Sequence, residues 1–208
     1  MIKSVIFDLG GVIFAQSFEN AVSRFREIGI QDTSSILDPH AQVGIFGELE
    51  SGRMDAETFR RKLGELAGRE LTVQDCKYAC TGFVDHLPQR NLDALRKLRG
   101  KDIRLILLSN TNPFMMMWAM STDFDGQGHS LREYMDECYL SYECHLMKPD
   151  VAIFKYVIEK ERINPSETIF VDDSKKNVLS AQSVGLKTLC PEANKDWTQE
   201  LFKLTGLA

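Results

Sequence analysis

The chain has 208 residues, 43% of them hydrophobic and 26% charged, enough for one sizeable globular domain and a smaller companion. A net charge of -5 and a pI near 5.5 leave no basic stripe to neutralise phosphates, which argues against a nucleic-acid surface. No stretch approaches the roughly 20 apolar residues of a membrane span. Met1-Ile2-Lys3 runs straight into an apolar segment rather than a signal peptide, so the expected compartment is the cytoplasm.

In chain order, Val5, Ile6 and Phe7 deliver Asp8 to the tip of a buried strand expected over Ser4–Asp8. The chain then turns at Gly10-Gly11 and leaves with Val12 and Ile13. Ligands of open parallel sheets bind beyond the carboxyl ends of the strands, which gives Asp8 a functional reading. The plainer alternative is a turn aspartate. About ninety residues separate this strand from the next, far more than the dozen or so a crossover needs. Phe18, Ala21, Val22, Phe25 and Ile28 keep helical spacing there, as do Phe59, Leu63 and Leu66. Cys76 and Cys80 share a helical face, but no second pair completes a zinc site, so packing is expected of them. The five cysteines are odd in number and scattered, as in a protein of reduced thiols. Arg60-Arg61-Lys62 and the basic run from Arg96 to Lys101 read as solvated helix faces.

A helix follows at 88–99, with Leu92, Leu95 and Leu98 on one face, then a strand, Arg104–Ser109, ending on a hydroxyl. Met115-Met116-Met117-Trp118 reads as core packing rather than as an adaptable pocket. Asp123-Phe124-Asp125-Gly126 lacks the glutamate of a calcium loop and reads as a turn. After a strand at Glu137–Leu140, Met147-Lys148-Pro149-Asp150 sets a cation before a helix in which Ile153, Phe154, Val157 and Ile158 share a face. Pro149 and Asp150 suit the first positions of that helix. A strand over Thr168–Asp172 ends on Asp172-Asp173. The next helix uses Val178, Ala181 and Val184, stops at Gly185, and leads to a last strand at Lys187–Leu189. Short apolar runs alternating with helices predict an α/β fold with a parallel sheet.

Asp8, Ser109, Lys148 and Asp172-Asp173, in that order, resemble the four motifs of the haloacid dehalogenase (HAD) superfamily of aspartate-nucleophile hydrolases. The resemblance extends from Lys3 to about Leu189. It implies a Rossmann-like parallel-sheet core formed by residues 1–15 and 96–208, with an inserted α-helical cap at 16–95 that carries substrate selectivity. It also implies phosphoryl transfer through an aspartyl phosphate, which divides one hard displacement into two. By the same resemblance Asp8 is the nucleophile. Ser109 and the backbone of Asn110 hold the phosphate. Lys148 balances charge at both nucleophile and substrate. Mg²⁺ is held by Asp8, the Gly10 carbonyl and Asp173, with Asp172 acting through water. A hard divalent cation suits such oxygen ligands, because attack of one anion on another requires charge neutralisation.

One position departs from the family pattern. Most HAD phosphatases carry a second aspartate two residues after the nucleophile, as general acid and base; here that residue is Gly10. General acid–base assistance is worth about 10²–10⁴ in rate. The loss implies a slow enzyme, a substitute acid such as His145, Glu48 or Glu50, or a leaving group that needs little protonation. The strings Leu108-Ser109-Asn110-Thr111-Asn112, Tyr139-Leu140-Ser141 and Lys148-Pro149 resemble the bacterial α-D-glucose-1-phosphate phosphatase branch, which also tolerates glycine there. Its anomeric leaving group favours the third option. A glycine at 10 can also mark a backbone angle that aspartate tolerates poorly. The resulting expectation is a Mg²⁺-dependent phosphatase acting on a small phosphate ester such as a sugar phosphate. Two alternatives stand beside it. One is dehalogenation, which needs no protonated leaving group but also no metal-binding acid pair. The other is a catalytically weak module that binds phosphate esters or proteins.

Overall fold

Five short parallel strands in the order β5-β4-β1-β6-β7 form the central sheet: β1 (Ser4–Phe7), β4 (Arg104–Ser109), β5 (Glu137–Leu140), β6 (Thr168–Val171) and β7 (Lys187–Leu189). The computed structural model describes residues 1–38 and 44–207. Alternation along each strand divides the apolar side chains between two faces. Val5, Phe7, Leu105, Leu107, Ile169 and Val171 pack on one side, against Leu92, Leu95, Leu98 and Trp197. Ile6, Ile106, Leu108 and Phe170 pack on the other, against Ile153, Phe154, Val157 and Ala181. Both faces are covered, so the strands read as unbroken apolar runs. Burying each large apolar side chain contributes about 1.5–3 kcal/mol.

The helices that cover the sheet are α5 (Gln89–Arg99), α8 (Val151–Glu161), α9 (Lys175–Ser183) and α10 (Thr198–Thr205). Asp150 is the N-cap of α8, accepting from Ala152 N at 2.8 Å, so Pro149 lies just before the helix rather than in its first turn. The shorter α6 (Pro113–Ala119) and α7 (Ser141–Cys144) follow β4 and β5. Register sets the active end of the sheet. Phe7 pairs with both Leu107 and Val171, so Asp8 and Asp172 emerge side by side, with Ser109 one residue beyond that level.

Between β1 and β4 the chain forms α1 (Phe18–Glu27), α2 (Gly44–Glu50), α3 (Ala56–Ala67) and α4 (Val73–Cys80). These helices enclose their own apolar cluster, with Phe25, Phe46, Phe59, Leu63, Cys76 and Cys80 at its centre. Both cysteines are therefore packing residues, and every cysteine is a free thiol. Leu66, expected on the buried face of α3, is 52% exposed; Ala67 continues that face against the cluster instead. A two-stranded antiparallel ribbon, β2 (Ala15–Gln16) with β3 (Val84–His86), joins the helical insert to the core. The division expected at residue 95 falls inside α5, whose leucines all pack on the sheet. The change of packing partner comes at the ribbon. Among the described residues no helix is long and apolar enough to cross a membrane.

Candidate active site

Asp8 follows directly from β1, and its backbone N–H still donates to Val171 O, so the sheet itself holds the residue. One carboxylate oxygen accepts from Leu9 N at 2.7 Å and meets Lys148 Nζ at 2.8 Å. Lys148 is 3% exposed and its ammonium also reaches Asp172 Oδ2 at 2.7 Å. Asp172 has no exposed surface. Its Oδ1 accepts from Ser174 N at 2.8 Å and both oxygens accept from Asn177 Nδ2 at 3.0 Å, so the carboxylate that meets Lys148 through Oδ2 is itself held at both oxygens. One carboxylate oxygen from each of Asp8, Asp172 and Asp173 lies within 4.8 Å of the other two.

The charge at this centre does not balance: one ammonium faces three carboxylates. Burial pushes the Asp8 carboxyl up to about 7, against the pull of Lys148 and with the push of Asp172 and Asp173. Burial also raises the Asp173 carboxyl, and Asp172 adds to that. Lys148 is held above its ordinary value, because Asp172 and Asp8 together outweigh the cost of burying it. A set of closely spaced carboxylate oxygens short of positive charge fits a hard divalent cation.

A cavity of about 850 Å³ opens above this centre. Gly10, Ser109, Asn110, Lys148 and Asp173 all line it, and Asp8 and Asp172 join them through Lys148 and the carboxylate cluster. Five of the seven residues expected at the site, Asp8, Asn110, Lys148, Asp172 and Asp173, are therefore linked by observed contacts or by the proximity of their carboxylates, with Gly10 and Ser109 on the adjacent cavity wall. The Asn110 side chain is committed to the Lys148 backbone, accepting from its N–H at 2.9 Å and donating to its carbonyl at 2.8 Å. Ile36, Leu37, Phe46, Glu50 and Phe83 of the helical insert form the facing wall. Ser141 ties that wall to the core, accepting from Thr111 N at 3.0 Å and donating to Glu50 O at 2.6 Å.

Comparison with known proteins agrees with this geometry. The family model for haloacid dehalogenase-like hydrolases matches residues 2–185. The chain belongs to that family. It is 44% identical over 201 residues to the D-ribitol-5-phosphate phosphatase of Bacteroides thetaiotaomicron, covering 97% of each chain. A HAD-like hydrolase from Porphyromonas gingivalis superposes with a TM-score of 0.91 at 38% identity, covering 99% of this chain and 98% of the other. A wild-type HAD enzyme from Bacteroides thetaiotaomicron, solved with magnesium and inorganic phosphate, gives 0.87 at 34% identity, covering 96% and 99%.

Three further residues shape the site without having been expected from sequence. Asn177 orients Asp172 from the first turn of α9; its place five residues after Asp172 is its only sequence signal. Asn194 accepts from Gln16 N at 2.8 Å, donates to Gln16 O at 3.0 Å, and its own N–H donates to Gly11 O at 2.9 Å. Gln16 edges the cavity. No local pattern marks Gln16 or Asn194, because 178 residues separate them. His145 is exposed and does not line the cavity, nor does Glu48, whereas Glu50 does. Gly10 does not have a left-handed backbone; that angle belongs to Gly11, at φ +76°.

Proposed function

We propose that this protein is a Mg²⁺-dependent phosphomonoesterase for a small phosphorylated sugar or sugar alcohol. The observation that carries the reading is the buried Asp8–Lys148–Asp172 array with Asp173 alongside, short of positive charge at the floor of a substrate-sized cavity. Asp8 attacks phosphorus and becomes the aspartyl phosphate, while Lys148 keeps one positive charge against nucleophile and phosphoryl oxygens through both displacements. Ser109 and the Asn110 backbone orient the phosphoryl group from the end of β4. Mg²⁺, held by Asp8, the Gly10 carbonyl and Asp173 with Asp172 behind them, would supply the neutralising charge that lets one anion approach another. Asp172 fixes Lys148 and is itself fixed by Asn177.

The relative named for D-ribitol 5-phosphate supports a polyol or sugar phosphate as substrate and moves the emphasis from an anomeric ester to a primary one. The helical insert, residues 18–83, acts as the cap that selects it. Dehalogenation is disfavoured, because displacing halide makes no use of Asp173 beside the nucleophile.

Phosphate release from ribitol 5-phosphate, other pentitol and hexose phosphates and p-nitrophenyl phosphate tests this reading. Activity should require Mg²⁺, vanish in EDTA, and fall to background in Asp8→Asn. Full activity in chelator, or no release from any ester with Mg²⁺ present, would reject it.

A further inference from the structure

Gly10 stands where the family's acid is missing, and the space beside it is not empty. A Cβ built on Gly10 would lie 2.9 Å from Gln16 Oε1, and one built on Gly11 would lie 3.3 Å from Gln16 Nε2. The Gln16 carboxamide thus sits over the Gly10-Gly11 turn, where a side chain at position 10 would start. Asn194 holds the Gln16 backbone by two hydrogen bonds and the Gly11 carbonyl by a third. The carboxamide itself makes no hydrogen bond to any described side chain or backbone group, and it faces the cavity that Lys148 and Asp173 also line. A backbone fixed on both edges carries an uncommitted amide at the side of the nucleophile turn.

We propose that Gln16 is the hydrogen-bond donor to the leaving-group oxygen, occupying the space that an aspartate at position 10 would otherwise fill. This rests on the phosphatase reading above and deepens it. When Asp8 forms its bond to phosphorus, the bond from phosphorus to the ester oxygen breaks, and its electron pair stays on that oxygen. The Gln16 amide stabilises the developing alkoxide by an N–H···O bond but transfers no proton. The alkoxide takes its proton from water. The hydroxide left behind attacks the aspartyl phosphate, releasing phosphate and restoring Asp8. One ester and one water give one alcohol and one phosphate.

Two consequences follow from shared space. A side chain at position 10 would start with its Cβ 2.9 Å from Gln16 Oε1 and so compete with the amide for the same space, so Gly10→Asp alone should not create a working acid. Removing the amide at the same time should allow it to.

The experiment compares wild type, Gln16→Ala, Gly10→Asp and the double variant on ribitol 5-phosphate and p-nitrophenyl phosphate with Mg²⁺. A preorganised donor to a developing oxyanion acts on the ester whose leaving oxygen gathers most charge. Gln16→Ala should therefore lower kcat on the alkyl ester about tenfold and on the aryl ester less than about threefold, the scale of one hydrogen bond. Asn194→Gly, which keeps the left-handed backbone at φ +66° but loses the side-chain bonds, should show the same selectivity. The double variant should exceed Gly10→Asp on the alkyl ester. Equal losses on both esters, or a double variant no better than Gly10→Asp, overturns the assignment. Thermal melts of each variant separate lost chemistry from lost fold. If wild type releases phosphate from neither ester, the phosphatase reading itself has failed, and not merely the role of Gln16.

Discussion

Replacing Lys148 by methionine tests whether one buried ammonium is what allows the carboxylates to stand together. Methionine keeps most of the aliphatic stem and removes only the charge, leaving Asp8, Asp172 and Asp173 without a counter-ion in metal-free protein. Removing one partner of a buried ion pair costs about 3–5 kcal/mol, because the remaining charge stays desolvated. In a chain of this size 1 kcal/mol corresponds to about 2–4 °C in Tm, so the expected fall is roughly 6–20 °C near pH 8.

The pH dependence follows from Asp8. Its folded carboxyl lies at about 7, above the ordinary value of 3.8, so in that window the folded state binds a proton that the unfolded state does not. The stabilisation from that proton is full below the unfolded value and is lost as pH rises through the folded one. At about pH 5.5 Asp8 is already largely protonated, and one of the uncompensated charges is gone. The cost of Lys148→Met should therefore be at least about 1 kcal/mol smaller there than at pH 8. Thermal unfolding of both proteins in EDTA at the two pH values measures it. A penalty below about 1 kcal/mol at pH 8, or one independent of pH, would refute the assignment of Lys148 as counter-charge.

Two further outcomes are expected. Asn177→Ala frees Asp172 from two hydrogen bonds at 3.0 Å, so kcat on an aryl phosphate should fall about tenfold with KM changed less than threefold, by steady-state kinetics. Asp125 is far from this chemistry in role: although burial opposes its charge, Tyr134, His129 and Gln127 hold its carboxyl well below the usual carboxylate range. Asp125→Asn should cost about 1.5–3 kcal/mol in thermal or urea unfolding and leave kcat unchanged, and the gap from wild type should narrow as pH falls below about 4.

The parts of this molecule that could be read from sequence are those where neighbours in sequence do the work. Val5-Ile6-Phe7 and Ile169-Phe170-Val171 are strands because each apolar run is buried on both faces, and each ends on the acid that the sheet register places beside the other. The turn reading of Asp123 to Gly126 holds, but nothing local foretold that Asp125 would gather Tyr134, His129 and Gln127 around it. Leu66 shows the limit of periodicity: helical spacing gives a face but not the point at which that face runs out of partners. Gln16 and Asn194 mark the other limit. A glutamine at the end of a two-residue strand has no signature, and its role exists only because a distant loop closes on the same turn.

The two adjacent glycines after Asp8 look alike in sequence and have different reasons for being there. Gly11 is required by the backbone: its φ of +76° is one that side chains resist, and a Cβ would lie 2.4 Å from Asp173 Oδ2, in the carboxylate cluster. Gly10 has no such constraint. Its backbone would accept a side chain, and what stands in the way is the far end of a flexible residue, Gln16. The absence of an acid at position 10 is therefore not imposed by the turn; it goes together with the amide that fills the space. An amide donates a hydrogen bond at every pH but cannot surrender its proton, so a site built this way gains leaving-group stabilisation that is insensitive to pH and gives up acid catalysis. Under the proposed role of Gln16, such an exchange ties the rate to the alcohol being released, so esters with better leaving groups should be turned over faster.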